Sequence, residues 1–128
     1  MYWLRTAGVL ERCELVHGFS HELPTGANFD IAISIFVAHF VKKHERLAFL
    51  KDMSDRLRMG GQLVNAEISF DLNSPGFPSM LKDWEGIQAL MGATKESLAN
   101  LPTVLRDILY VLPPKETEDI LSQCGIRN

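Results

Sequence analysis

The stretch that decides the fold is Phe29–Ile68, FDIAISIFVAHFVKKHERLAFLKDMSDRLRMGGQLVNAEI. Its apolar run Ile31–Val37 is typical of a strand that is covered on both faces. The charged amphipathic segment 44–58 then predicts a helix, and Gly60 and Gly61 are expected to end it and let the chain reverse. A second apolar run, Gln62–Ile68, predicts another strand. The whole stretch therefore predicts a strand–helix–strand unit of a parallel sheet.

This unit also predicts where the core lies. We expect the apolar residues of the two strands to be buried side by side, with a right-handed crossover between them. The helix is expected to pack its leucines on the strands and to leave its Lys, Glu, Asp and Arg side chains in solvent. The predicted core residues are Ile33, Ile35, Leu63 and Val64 in the strands, and Leu47, Leu50 and Leu57 in the helix.

The flanking segments predict further elements. Met1–Ala7 is typical of a helix end, because Gly8 can supply a left-handed cap. Cys13–His17 predicts a short strand, and the polar segment 18–28 predicts a loop. After a second loop at 70–76, the pattern predicts helices over 79–91 and 94–110, with a break at Gly92. Pro113 and Pro114 open a last helix. Its apolar stripe is Thr117, Ile120, Leu121 and Cys124.

Composition narrows the classes of protein. The 128 residues are 46% hydrophobic and 23% charged, which is typical of one ordinary globular domain. A net charge of −3 gives no basic face for nucleic acid. No apolar run approaches the roughly 20 residues that span a bilayer, and the amino terminus lacks the pattern of a signal peptide. Cys13 and Cys124 form no metal or redox motif, so we expect both to be reduced and buried in a cytoplasmic protein.

Four pieces of sequence, in order, resemble the class I S-adenosylmethionine-dependent methyltransferases. They are CELVHGFSHELP, FDIAISIFVAHF, LRMGGQLVNAEIS and ILSQCGI. The resemblance implies an α/β, partial Rossmann-like methyltransferase fold, a mostly parallel sheet with flanking helices. Residues 1–128 would form a single partial domain, with a helical insertion at about 70–112. The first two and last two strands of the family's sheet would lie outside the chain.

The chain departs from the family's pattern at several points. It has no glycine-rich GxGxG loop and no acidic residue to hold the ribose hydroxyls, and we expect both to lie upstream of Met1. The family's Gly-Asp pair is Gly18-Phe19 here, and Met59 stands where the family has a proline before two glycines. Because the family's strands one and two lie between its strands three and four, their absence would leave sheet edges open.

The resemblance also implies candidate binding residues. One wall of a pocket would contact the adenine of the cofactor S-adenosyl-L-methionine. The alternative for the residues of this wall is an ordinary loop or core packing. The insertion often covers the substrate in this family, so Phe77 and Trp84 are candidates for the substrate pocket, with core packing as the alternative. The residues implied at the cofactor are Phe19, Ser20, Ser34, Ile35 and Phe36.

Two polar residues at predicted strand ends are candidates for chemistry. His39 follows the first strand on the side where ligands of parallel sheets bind, so a neutral imidazole there could be a general base or orient a substrate. Glu67 ends the second strand and is a candidate for the same substrate side. Packing or capping is the alternative for His39, and no catalytic residue is assigned. His17, His21 and His44 lack metal-ligand spacing, so we expect no metal site.

Two functions from different classes follow. The first is methyl transfer from S-adenosylmethionine to a small molecule, with this chain an incomplete part of the enzyme; aligning donor and acceptor supplies most of that catalysis, so the acceptor cannot be read from the sequence. The second is a non-catalytic, methyltransferase-like subunit or remnant that pairs with a partner, or with itself, through open sheet edges. A different nucleotide-binding α/β domain is a weaker third reading, since it too would need a phosphate loop.

Overall fold

The computed structural model describes residues 2–23, 26 and 29–126. It is an α/β structure with a two-stranded parallel sheet, β1 and β2, and six α-helices. In chain order the elements are α1 (Tyr2–Thr6), β1 (Phe29–Ile35), α2 (Lys43–Ser54), β2 (Leu57–Ala66), α3 (Phe77–Leu90), α4 (Lys95–Ala99), α5 (Leu101–Thr103), a π-helical turn (Val104–Ile108) and α6 (Pro114–Gln123). Three 3-10 turns lie at Leu10–Arg12, Ser20–Glu22 and Ala38–Phe40.

The strand–helix–strand prediction is confirmed, because β1 and β2 pair in parallel and α2 connects them. The expected role of the two glycines was wrong: α2 ends at Ser54, and Gly60 and Gly61 lie within β2. Between the pairs Phe29–Leu57 and Ile31–Gln62, β2 uses more residues than β1 and bulges outward. Gly60 takes φ +78° in this bulge, a conformation that favours glycine.

The predicted strand Cys13–His17 does not form. This segment pairs with no described strand, and all five of its residues are exposed. Its side chains suit a strand, but a strand needs a neighbour for its backbone hydrogen bonds. Because the segment lies out in solvent, the expected burial of Cys13 was also wrong, whereas Cys124 is buried; both thiols are free.

The predicted strand core was wrong as well. Ile33, Ile35 and Val64 are 59%, 56% and 47% exposed, and Leu63 is only partly buried. Ala32 and Ser34, on the opposite face of β1, are less exposed, whereas the isoleucine face has no covering layer among the described residues. The hydrophobic core lies in the helical region instead. It contains Phe77, Leu105, Leu109 and Val111.

Helix α2 matches its prediction only in part. Leu50 is fully buried and Leu47 partly so, but Leu57 is the first residue of β2 and not part of the helix. The charged face is not wholly solvated either, because Arg46 is 0% exposed and Arg56, just past the helix, is 7% exposed. Arg46 lies one turn before Leu50 and therefore on the same, inward side of the helix.

The other helical predictions hold. Helix α1 ends before Gly8, which takes φ +68°, and Met1 lies outside the described residues. Helices α3, α4 and α5 with the π-helical turn fill the segment predicted to be helical. Thr117 in α6 and Cys124 just after it are buried, and Ile120 and Leu121 are partly buried, as the stripe predicts. Among the described residues, no helix has both the length and the apolar character to cross a bilayer.

Candidate functional site

The candidate site lies at the carboxyl end of the two-stranded sheet, where parallel α/β structures bind their ligands. Here the end of β1 meets the 3-10 turn Ala38–Phe40, and the chain leaving β2 meets the start of α6. Ser69 Oγ donates a hydrogen bond to the Leu112 carbonyl at 2.8 Å, and the Phe70 N–H donates to the same carbonyl at 3.0 Å. The chain after β2 is therefore fixed against the segment that precedes α6.

A buried ion pair holds this end of the sheet together. Arg46 Nη1 donates to Glu67 Oε2 at 2.6 Å, and the two side chains are 0% and 4% exposed. Thr117 Oγ1, on α6, donates to Glu67 Oε1 at 2.6 Å. Both carboxylate oxygens of Glu67 are therefore occupied within the protein.

The guanidinium of Arg46 also binds two backbone carbonyls. Nε and Nη2 donate to the Val41 carbonyl at 3.2 and 2.9 Å, and Nη2 donates to the Tyr110 carbonyl at 3.1 Å. Tyr110 has φ +44°, which is uncommon for a non-glycine residue. Burial lowers the pKa of Arg46, and the neighbouring Glu67 raises it. Arg46 therefore joins the start of α2 to Glu67 after β2 and to Tyr110 before α6.

His39 lies beside this network. It is 2% exposed, and its Nδ1 accepts a hydrogen bond from the Ile68 N–H at 3.2 Å. Burial lowers the pKa of His39; Glu67 raises it and Arg46 lowers it. The ring is therefore held in its neutral form. His39 and Glu67, both predicted for the substrate side, do come together at this end of the sheet.

The predicted cofactor residues at the end of β1 have different environments. Ile35 and Phe36 are 56% and 61% exposed, and Phe36 takes φ +54° while its N–H donates to the Ala66 carbonyl at 2.7 Å. Ser34 is 4% exposed, and its hydroxyl meets no hydrogen-bond partner in the described chain. An unpaired buried hydroxyl costs about 1–3 kcal/mol, so Ser34 is a residue that packing alone does not explain.

Phe19 and Ser20 lie elsewhere. They line an open groove of about 550 Å³ with Phe29, which begins β1. Phe29 and Ile35 are at opposite ends of the strand, roughly 20 Å apart at the usual rise per residue. The groove that Phe19 lines contains none of Ser34, Ile35 and Phe36. The structure therefore does not gather the five predicted cofactor residues into one pocket.

The two aromatic candidates of the helical insertion are part of the core. Phe77 is 8% exposed and belongs to the buried cluster with Leu105, and Trp84 packs against that cluster. The Arg106 guanidinium carbon lies 5.3 Å from the centre of the Phe77 ring. These contacts are what core packing predicts for both residues.

Sequence reasoning missed Arg46 and Thr117. The signal for Arg46 was its position four residues before Leu50, on the apolar side of α2, where a charged residue needs a buried partner. Thr117 was placed on the apolar stripe of α6, but its hydroxyl was given no role. Neither residue belongs to a recognisable motif, so only the fold reveals that they meet Glu67.

The described residues fit S-adenosylmethionine only in part. The exposed Ile35 and Phe36 at the carboxyl end of β1 suit a flat apolar group, whereas Phe19 and Ser20 lie too far along the strand to hold that same group. No group of three or more His, Cys, Asp or Glu side chains among the described residues is placed to hold a metal ion. No family model matches this sequence, and the search of curated proteins finds no relative.

Proposed function

We propose that this chain supplies the central strand–helix–strand unit of an S-adenosylmethionine-dependent methyltransferase that acts on a small-molecule acceptor. The observation that carries the proposal is the carboxyl end of the parallel pair, where the exposed Ile35 and Phe36 lie next to the neutral, buried His39. The resemblance of the sequence to that enzyme class supports it. Bound cofactor would supply the activated methyl group; this chain would contribute one wall of the pocket and orient the acceptor.

In this proposal, further residues complete the cofactor pocket. The chain has no glycine-rich loop, and Glu67 is fully engaged with Arg46 and Thr117. Each hydrogen bond missing from the cofactor is worth about 0.5–1.5 kcal/mol, and about 1.4 kcal/mol corresponds to tenfold in affinity. We therefore expect the 128-residue chain to bind S-adenosylhomocysteine weakly, with a Kd of about 1 mM.

Calorimetric titration with S-adenosylhomocysteine, together with NMR of the ¹⁵N-labelled chain, tests this. We expect weak, saturable shifts of the backbone amides of Ile35 and Phe36, while the amide of Ile87, exposed on α3, stays in place. If millimolar ligand leaves the amides of Ile35 and Phe36 unmoved, the methyltransferase proposal fails. Micromolar binding would instead overturn the idea that this chain is an incomplete part.

One observation favours a second function, a non-catalytic subunit that pairs through its open sheet. Ile31, Ile33, Ile35 and Val64 form an exposed apolar face on a parallel sheet, and such sheets are otherwise covered on both faces. Contiguous exposed apolar surface of this kind marks interaction sites.

A pair of isoleucines provides a matched test of this second function. Ile33 and Ile87 are 59% and 57% exposed, but only Ile33 lies on the sheet face. We expect light scattering to show concentration-dependent association of the native chain that Ile33→Lys reduces and Ile87→Lys leaves unchanged. A native chain that stays monomeric at all concentrations would count against the subunit reading.

A further inference from the structure

Three ring side chains form a rim at the carboxyl end of β1, which we name the aromatic rim: Phe36, His39 and Phe40. The Phe36 and His39 ring centres are 6.2 Å apart, and those of His39 and Phe40 are 4.7 Å apart. The two phenylalanines are 61% and 57% exposed, whereas His39 is 2% exposed. A polar ring is thus packed between two apolar rings that face solvent.

The hydrogen bond to His39 determines where its proton lies. The Ile68 N–H can only donate, so His39 Nδ1 must present its lone pair. In a neutral imidazole the one proton is then on Nε2. Burial keeps the ring neutral, because it lowers the pKa of His39. His39 therefore offers an N–H donor at Nε2 and has no free lone pair with which to act as a general base.

The Nε2 donor is not used within the protein. No acceptor for Nε2 is found among residues 2–23, 26 and 29–126, although His39 is almost wholly buried. Nε2 is not among the buried unpaired atoms of the described chain, so this N–H reaches the surface of an otherwise buried ring. Its position next to two exposed rings at the ligand-binding end of a parallel sheet indicates an external acceptor.

Phe36 gives independent support. A bulky side chain at φ +54° is a conformational outlier, and such residues cluster where a ligand is held. The hydrogen bond from the Phe36 N–H to the Ala66 carbonyl holds this conformation in place. The backbone that carries this exposed ring is therefore held in place.

We propose that the aromatic rim binds an aromatic carboxylate, a planar ring with a carboxylate oxyanion that is already ionised at neutral pH. The rings of Phe36 and Phe40 pack against the ligand ring, and Nε2–H of His39 donates to its oxygen. This assignment names the chemical class of the methyl acceptor and in that sense rests on the proposed function. His39 is then a positioning residue, and the acceptor oxygen arrives already deprotonated.

Benzoate is the first probe, used without any cofactor. In long-range ¹H–¹⁵N spectra of the 128-residue chain, we expect His39 to show the Nε2-protonated form before benzoate is added. Added benzoate should move the Nε2 signal and the ring signals of Phe36 and Phe40 in a saturable way. Toluene lacks the oxygens and cyclohexanecarboxylate lacks the aromatic ring, so each should bind about tenfold more weakly. A proton on Nδ1, or no saturable shift with benzoate, overturns the proposal.

Two substitutions of His39 separate its nitrogens. His39→Asn keeps an acceptor near the Nδ1 position for the Ile68 N–H but has no donor at Nε2, so benzoate affinity should fall about tenfold. His39→Gln places an amide N–H near the Nε2 position and should retain most of that affinity. Equal affinities for the two variants would show that the donor plays no part.

A second pair of variants keeps the test independent of folding at the buried His39. Phe40→Ala removes a ring that is 57% exposed and should weaken benzoate binding, while Phe29→Ala, 46% exposed at the other end of β1, should not. Equal losses would overturn the proposal. If benzoate binds and S-adenosylhomocysteine does not, only the methyltransferase proposal fails. If S-adenosylhomocysteine moves the amides of Ile35 and Phe36 and benzoate does nothing, only the acceptor assignment fails.

Discussion

Replacing Arg46 by Met tests whether the buried ion pair holds the carboxyl end of the sheet. Arg46 Nη1 and Glu67 Oε2 are 2.6 Å apart, and the two side chains are 0% and 4% exposed. Removing the cation leaves the Glu67 carboxylate buried with only the Thr117 hydroxyl as partner, and it also leaves the Val41 and Tyr110 carbonyls without their donor. Breaking a buried pair in this way costs about 3–5 kcal/mol. That is a large part of the roughly 5–15 kcal/mol that stabilises an ordinary domain.

The chain contains its own control for this change. Arg58 and Asp30 form an ion pair at 2.5 Å, but their side chains are 62% and 71% exposed. Exposed pairs contribute about 0–1 kcal/mol, so Arg58→Met should barely alter the free energy of unfolding. Urea unfolding followed by far-UV circular dichroism measures both variants. If the two lose the same free energy, burial of the Arg46–Glu67 pair does not matter and the reasoning is refuted.

A double variant sharpens the test. Glu67→Leu in the Arg46→Met background removes the unpaired charge and replaces it with apolar volume. Apolar replacement of a whole buried pair is often neutral or stabilising. We therefore expect the double variant to be more stable than Arg46→Met alone. A double variant that is less stable would show that the cost comes from packing rather than from the stranded carboxylate.

Three further predictions concern stability. Leu50→Ala should lower the free energy of unfolding by about 2–5 kcal/mol, because Leu50 is 0% exposed. Leu90→Ala, at 90% exposure, should change it by less than about 0.5 kcal/mol, and a similarly small effect at Leu50 in urea melts would show that Leu50 is not a core residue. The pKa of His39 is lowered in the folded chain, so its contribution to stability is fully present above the unfolded value of about 6.5 and is lost as the pH falls toward the folded pKa. In urea melts, the free energy of unfolding should therefore fall less between pH 8 and pH 5 in His39→Asn than in the native chain. An equal fall would contradict this. Gly60→Ala should destabilise the chain, because Gly60 has φ +78°. Gly86→Ala should stabilise it by about 0.5–1 kcal/mol, because Gly86 lies in α3 with open space around it. Thermal melts in which both substitutions change the stability in the same direction would refute the bulge assignment.

The sequence predicts local conformation here better than it predicts burial. Alternating isoleucines at Ile31, Ile33 and Ile35 are enough to indicate a strand, and β1 forms. Whether those side chains are buried depends on a covering layer, and the described chain supplies none over the isoleucine face. The same reasoning explains the failed strand at Cys13–His17, because a strand is stable only beside another strand. Both errors therefore come from elements that the pattern required and the described residues do not supply.

The candidate site was predictable to a similar extent. His39 and Glu67 were identified because they follow strands whose carboxyl ends meet at one edge. Their roles were not predictable, because those depend on partners distant in sequence: Arg46 for Glu67, and the Ile68 N–H for Nδ1 of His39. The proton position that makes His39 a donor follows from that single backbone contact.

The ion pair and the aromatic rim belong to one connected arrangement. Glu67 precedes Ile68, so fixing the Glu67 carboxylate between Arg46 and Thr117 also fixes the Ile68 N–H. That N–H in turn orients the His39 ring, whose Nε2 proton has no acceptor among the described residues. Preorganised donors of this kind act without the cost of reorientation when a ligand arrives. The buried Arg46–Glu67 pair therefore acts indirectly: it holds the neutral ring of His39 in the orientation that can bind an oxyanion.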